Sequence, residues 1–203
     1  MRKRLFQGDH PQIAMSLNNC GTANMSLNRF AEAEPYLQES LAMRRRLFPG
    51  DHPETAESMG NLAFLKTSTG KLEEADDLSE QTLAMQRNLY SGDHRSVALA
   101  LSNLANTKFR RGLVNEAEPL AREALEMRSR MLADHPEVAR SLRLLAEIQL
   151  ERNEMAEALG LATKAVEMGE RVWPADHPQL AACRETLGRC TDKEKAKAEH
   201  VPQ

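Results

Sequence analysis

Between residues 94 and 112 the chain reads HRSVALALSNLANTKFRRG, and its apolar positions Val97, Leu101, Leu104 and Ala105 fall at i, i+4, i+7 and i+8. That spacing lines one side of a helix and leaves the other side polar. The next stretch, VNEAEPLAREALEMRSRML, puts Val114, Ala117, Leu120, Ala121, Ala124 and Leu125 on a second stripe. Gly112 separates the two, so the pattern predicts a helix, a tight turn and another helix. Pro119 falls inside the second helix, as does Pro35 in an equivalent stretch, where proline is normally disfavoured. Near a helix start it removes donors that lack partners anyway, so both are placed there with at most a slight bend.

The unit recurs. Asp-His pairs begin at Asp9, Asp51, Asp93, Asp134 and Asp176, at spacings of 42, 42, 41 and 42 residues. Five residues after each Asp stands an alanine: Ala14, Ala56, Ala98, Ala139 and Ala181. Nineteen after come Asn28, Gly70, Gly112 and Asn153, residue types that tolerate a left-handed backbone. Two further columns, Ala33, Ala75, Ala117, Ala158 and Met43, Met85, Met127, Met168, hold the same register. Such a period marks a stacked array rather than one closed core.

The predicted fold class is therefore all-α. Helix pairs are expected at 11–27 with 30–47, 53–69 with 72–89, 95–111 with 114–131, and 136–152 with 155–172, followed by a single helix at about 178–191. Arrays need polar end units, and Arg184, Glu185 and Arg189 give the last helix that character. Residues 192–203, rich in charge, read as a disordered tail. Residues 1–8 read as the end of a truncated preceding repeat, because MRKRLF at 1–6 repeats MRRRLF at 43–48. On that alignment the chain is expected to be the C-terminal part of a longer protein.

Asp beside His is also the chemistry of metal sites and proton relays. Neighbouring helices pack about 8–10 Å apart, so equivalent histidines two helices along lie roughly 16–20 Å apart. A zinc ion needs its nitrogens at about 2 Å. His10, His52, His94, His135 and His177 are accordingly expected to open the first helix of each pair, with Asp or His as cap and proline in the first turn. The aromatic column before them (Phe6, Phe48, Tyr90 and Trp173, with Leu132 where one residue is deleted) is expected to pack under the same linker, with Trp173 alternatively an exposed anchor.

Composition removes several function classes. A net charge of −3 gives no reason to expect nucleic acid or an anionic membrane surface as partner. No stretch approaches the roughly 18 apolar residues of a membrane span, and the basic N-terminus lacks the apolar run of a secretory signal. Cys20, Cys183 and Cys190 are too few for a disulfide framework, which points to a reducing compartment, the cytoplasm. Cys20 takes a leucine position and is expected to be buried; Cys183 and Cys190 share a helix face as core residues or a weakly exposed pair. Glycines occur singly, with no phosphate loop, and no nucleophile is paired with a base on one helix face. The expectation is no enzyme, no metal and no cofactor.

LSNLANTKFRRGLVNEAEPLAREALEM, residues 101–127, resembles the tetratricopeptide repeat: L-x2-L-A, then Gly, then E-A-E, then A-L. The repeat length and the G-D-H-P-x-x-A linker resemble the longer subtype of kinesin light chains and related scaffold proteins. The chain departs from the pattern at Asn24, Lys66, Lys108 and Gln149, where an aromatic is usual, at Asn153 for Gly and at Leu159 for Glu. These departures are expected to weaken individual packing contacts.

The resemblance implies an α-solenoid of antiparallel helix pairs, a right-handed superhelix whose first helices line a concave groove for an extended peptide or partner helix. Carried over by position, the groove column is Asn19, Asn61 and Asn103, continued by Leu144 and Thr186. An asparagine amide donates and accepts, so a ladder of them could hold a peptide backbone whatever its side chains, or simply bond to its own scaffold or water. Met15, Met25, Phe64, Leu99 and Phe109 would add apolar contacts and Asn106 a polar one. Arg110, Arg140 and Arg143 would add positive charge, or form ordinary solvated surface offset by Glu147 and Glu151. The arginine runs 44–46 and 128–130 suit helix C-termini and need no ligand. Asn18, Gly60, Ser102 and Leu144 stand where some relatives clamp a C-terminal carboxylate, so that clamp is missing. The expected function is a non-catalytic protein-interaction scaffold, monomeric in isolation and part of a longer chain. The alternative is a structural spacer, self-association or regulatory module of a larger signalling protein, for example one carrying a kinase or ATPase domain.

Overall fold

The computed structural model describes residues 8–199, and those residues form nine helices and no strand. In order they are α1 (Pro11–Ser26), α2 (Phe30–Leu47), α3 (Pro53–Ser68), α4 (Leu72–Leu89), α5 (Arg95–Arg110), α6 (Val114–Met131), α7 (Pro136–Glu151), α8 (Met155–Val172) and α9 (Pro178–Glu199). Through α8 every boundary lies within one residue of the expected one. The chain divides into two compact units at Gly92 and Asp93. In the first, α1 packs on α2, α2 on α3 and α3 on α4; in the second, α5 packs on α6, and α6, α7, α8 and α9 follow in turn.

Helix α9 corrects the reading of the tail. It continues to Glu199, well past the expected end at 191. Lysine, glutamate and alanine solvate well but are also strong helix formers, and a packed helix extends without a new nucleation cost. Lys193 also donates from Nζ to the Leu150 carbonyl at 3.2 Å, a second bond to an acceptor at the end of α7 that the Asn153 N–H already uses. Residues 200–203 and the expected partial repeat at 1–7 lie outside the described residues.

Each pair is closed by the same turn. Asn28, Gly70, Gly112 and Asn153 have φ of 57°, 78°, 79° and 66°. Around each, two bonds form a Schellman motif: at the third turn Leu113 N–H donates to Lys108 O and Gly112 N–H to Phe109 O, both at 2.9 Å. The first alanine column, Ala14, Ala56, Ala98 and Ala139, is fully buried, as is the second, Ala33, Ala75, Ala117 and Ala158. Small side chains there let the paired helices approach closely. Ala181 of the lone α9 is exposed. Pro35 and Pro119 sit in the second turns of α2 and α6 rather than the first, and both helices run on unbroken. Each proline is exposed, and the carbonyl it leaves unbonded belongs to an exposed residue, Ala31 or Asn115, that water can reach.

Stacking within each unit rests on a buried arginine. Arg44 of α2, 1% exposed, reaches α3 and donates to Glu54 O at 2.6 Å, Ser58 Oγ at 2.8 Å and Glu57 Oε2 at 3.1 Å. Arg128 of α6 repeats this on α7, donating to Ser141 Oγ at 2.6 Å and pairing with Glu137 at 3.0 Å. Burial draws the Arg128 guanidinium below its usual pKa, and Glu137 opposes the shift. These arginines are structural ties between repeats, a role that helix-end charge alone did not suggest.

The polar residues standing in for the family aromatic are likewise compensated. Lys66 is 4% exposed, and its ammonium bonds Glu34 at 2.7 Å and Glu74 at 2.5 Å. Burial works against the Lys66 charge, but the two carboxylates outweigh it and raise its pKa. Lys108 pairs with Glu116 at 3.2 Å, and Gln149 donates to Glu157 at 2.9 Å. The expected loss of packing is thus met by charge-assisted bonds.

Candidate functional site

The repeated Asp-His pair is a structural joint. In all five linkers the histidine Nδ1 accepts the backbone N–H two residues on: Gln12, Glu54, Ser96, Glu137 and Gln179, at 3.2–3.3 Å. His10, His52, His94 and His135 hold extended backbone at the N-cap, as an N-cap residue requires. Accepting at Nδ1 places the neutral ring's proton on Nε2. Among the described residues no group of three His, Cys, Asp or Glu side chains could hold a metal ion.

The aspartate ties the linker to the far end of the same pair. Asp9 takes a two-pronged contact from Arg46 at 2.5 and 2.8 Å, and Asp93 one from Arg130 at 2.7 and 2.8 Å. Asp51 accepts from Asn88 at 2.9 Å, and Asp134 from Arg171 at 3.3 Å. Each pair is 37 residues apart. The bonds from Arg46 and Arg130 hold the Asp9 and Asp93 carboxyls below the usual carboxylate range. Phe48 stacks on His52 with centroids 3.8 Å apart, and Trp173 on His177 at 5.2 Å, so these two members of the aromatic column pack against the linker as expected, while Phe6 lies outside the described residues. Trp173 is half-buried with the Arg140 guanidinium 6.0 Å from its ring, which disfavours the exposed-anchor alternative.

The first-helix faces carry the residues that the sequence places in a groove. In the first unit, Met15 and Asn19 lie one turn apart on α1, and Asn61 and Phe64 nearly one turn apart on α3. Met15 and Phe64 are 42% and 48% exposed. Asn19 is exposed and Asn61 half-buried, with Asn61 Nδ2 donating to Asn18 Oδ1 at 3.0 Å. Asn18 is buried and bonded to Ser58 and Glu57, so Asn61 is oriented by the scaffold and keeps its amide oxygen for another partner. Met25 is half-buried against the core around Leu37 and Met59.

In the second unit, Leu99 is 51% exposed one turn before the half-buried Asn103 on α5, with Asn106 half-buried beyond it. Phe109 packs against the core of Ala105, Leu145 and Ile148. Arg110 is exposed at the end of α5. Arg140 pairs with Glu137, and Arg143 with Glu147 at 2.5 Å, so both cations are compensated within α7. Leu144 and Thr186, the expected continuation of the asparagine column, are buried, and the column ends at Asn103. A cavity of about 690 Å³ opens beside Leu99, walled by Ala98, Met131 and Leu132 and edged by Arg95 and Glu137.

Two further expectations meet the structure here. Cys20, expected in the core, is exposed, because no described helix covers that side of α1. Cys183 and Cys190 are core residues, and burial pushes both thiols up. No described helix is long and apolar enough to cross a membrane.

A run of equivalent helix pairs, each closed by a left-handed turn and joined through a capped linker, defines the class of helical-repeat proteins. The tetratricopeptide repeat family matches at residues 12–88, 54–130 and 96–171, and the chain belongs to that family. Solved structures agree on the fold. The kinesin-light-chain TPR-like repeats of a Podosopora anserina protein share 23% identity at a TM-score of 0.78, with 95% of this chain and 92% of that one covered. BtubC (BKLC) from P. vanneervenii is 18% identical at a TM-score of 0.70, covering 95% and 84%. A Rap protein complexed with Competence and Sporulation Factor is 15% identical at 0.76, covering 96% and 56%. No curated protein sequence gives a significant match. Proteins of this family serve in general as non-catalytic protein-interaction modules.

Proposed function

We propose that the protein is a non-catalytic cytoplasmic scaffold that holds an extended peptide segment or partner helix along the exposed faces of its first helices. The observation that carries this reading is the placement of exposed apolar groups. Of the five large hydrophobic residues exposed among the described residues, Met15, Phe64 and Leu99 stand on first helices within a turn of Asn19, Asn61 and Asn103. Scattered apolar side chains need no explanation, but their recurrence beside one polar column does. Asn19 and Asn103 spend no side-chain bond on the described protein, and Asn61 keeps its oxygen, so each can meet a peptide backbone group. The Rap structure, in complex with Competence and Sporulation Factor, supports the reading by analogy of fold alone.

The test is peptide selection from a random display library on the full chain, followed by titration against variants. Asn61→Ala with Asn103→Ala should weaken selected peptides about 5–20-fold, and Phe64→Asp at least as much, while helicity and oligomeric state stay unchanged. Selected peptides that bind all three proteins equally would refute the groove assignment. A change in self-association in the double variant would favour the spacer or self-assembly reading.

A further inference from the structure

We propose that a cavity between α2, α3 and α4 binds an alkylguanidinium, with the charge on Asp51 and the stem against the apolar walls. None of the groove residues lines it, so this inference is independent of the peptide-groove reading. The second linker lacks a cation that other linkers have. Arg46, Arg130 and Arg171, each 37 residues past the linker aspartate, bond Asp9, Asp93 and Asp134, whereas Asp51 meets the neutral Asn88. The Asp51 charge thus has no cationic partner among the described residues. Asparagine also reaches less far than arginine, and Asn88 and Asp51 edge a cavity of about 370 Å³, a size that suits a small ligand.

A second departure from the repeat lies in the same cavity. Four residues past the linker aspartate the chain has Ile13, Val97, Val138 and Leu180, all buried, but Thr55 in this pair. Thr55 is 2% exposed, lines the cavity, and its Oγ1 has no hydrogen-bond partner. A hydroxyl in a core position is unfavourable unless something bonds it, and its oxygen can accept an N–H of the occupant. The remaining walls include Phe48, Met59 and Met85, whose ring and thioethers suit an alkyl stem. A guanidinium presents paired N–H groups to a carboxylate, as Arg46 and Arg130 do to theirs. The cavity's other charge, Arg45, does not oppose it. Arg45 donates to Gln81 Oε1 at 3.3 Å, and Gln81 precedes Asn88 by seven residues, about 10 Å along α4. At that separation beside water the repulsion is small. A partner's arginine and a free guanidino compound offer the same group.

The test is an amide chemical-shift titration of the full chain with n-butylguanidinium, beside n-butylurea, which has the same shape and no charge. The guanidinium should give saturable shifts around residues 51, 55, 59, 85 and 88, and the urea should bind about five-fold more weakly or worse. Asp51→Asn should weaken the guanidinium by a similar factor, and Thr55→Val by about two- to five-fold, with helicity unchanged. Asn88→Arg, which supplies the cation the other pairs carry, should abolish binding. A capped Gly-Arg-Gly peptide that binds as well as n-butylguanidinium assigns the site to a partner's arginine; binding of the small compound alone assigns it to a free guanidino ligand. Absence of saturable shifts, equal binding of the urea, or unchanged affinity in Asn88→Arg would overturn the proposal. So would shifts of equal size at the linkers of Asp9, Asp93 and Asp134, which would mean general attraction to carboxylates.

Discussion

At the residue scale, the Asp-His pair shows how a chemical-looking motif serves a mechanical end. The histidine rings cap first helices and the aspartates clamp each pair, so His52→Ala should cost about 0.5–2 kcal/mol in urea unfolding, with His52→Asn recovering most of it. Equal losses for both variants would argue against the cap. Glu34 supplies a pH signature. Its bond from Lys66 lowers its folded pKa, so the stabilisation is complete above the ordinary glutamate range and is lost as pH falls through the folded value. Wild type should exceed Glu34→Gln in urea midpoint at about pH 7, and the gap should shrink as pH falls below the ordinary glutamate range. A gap independent of pH would contradict the ion pair. The cap was legible in the sequence because proline follows most of the histidines at a helix start. The aspartate clamps were not, because a 37-residue offset to arginine, or once to asparagine, carries no local signal until the helices are folded antiparallel.

At the element scale, helix positions were legible almost to the residue. Asn or Gly recurs at each turn, and the apolar stripes on either side have helical period. The turn itself can be probed at Gly112, whose φ is 79°. A side chain added there would meet open space, but the left-handed backbone would still be strained, so Gly112→Val should destabilise by about 1–3 kcal/mol. Gly21 makes the opposite case. It lies inside α1, where alanine would normally help by about 1 kcal/mol, yet an added Cβ would stand 2.5 Å from the Leu37 side chain. Gly21→Ala should therefore lower the melting midpoint, and a rise would mean that α1 and α2 are less closely packed than described. The extent of α9 was missed because a charged composition was read as solvation, although the same residues favour a helix once packing has started one. Cys20 was misjudged for a related reason. Its column is buried at Leu62 and Leu145, where α2 and α6 pack against it, and burial there belongs to the neighbour rather than to the residue.

At the scale of the whole molecule, family membership and the helix-pair architecture were legible from repetition alone, whereas the binding surface was legible only in part. Met15, Phe64 and Leu99 are exposed on first helices as expected, but Met25 and Phe109 turn into the core, and Arg140 and Arg143 are engaged by neighbouring glutamates. A repeat column says which helix face a residue occupies, not how far its neighbours cover it. The central claim is that the first-helix faces are where a partner segment docks. Amide chemical-shift mapping of the full chain with a library-selected peptide tests it most directly. Shifts clustered at residues 15, 19, 61, 64, 99 and 103 are the predicted result; shifts confined to the outer faces of α2, α4, α6 and α8 would contradict it.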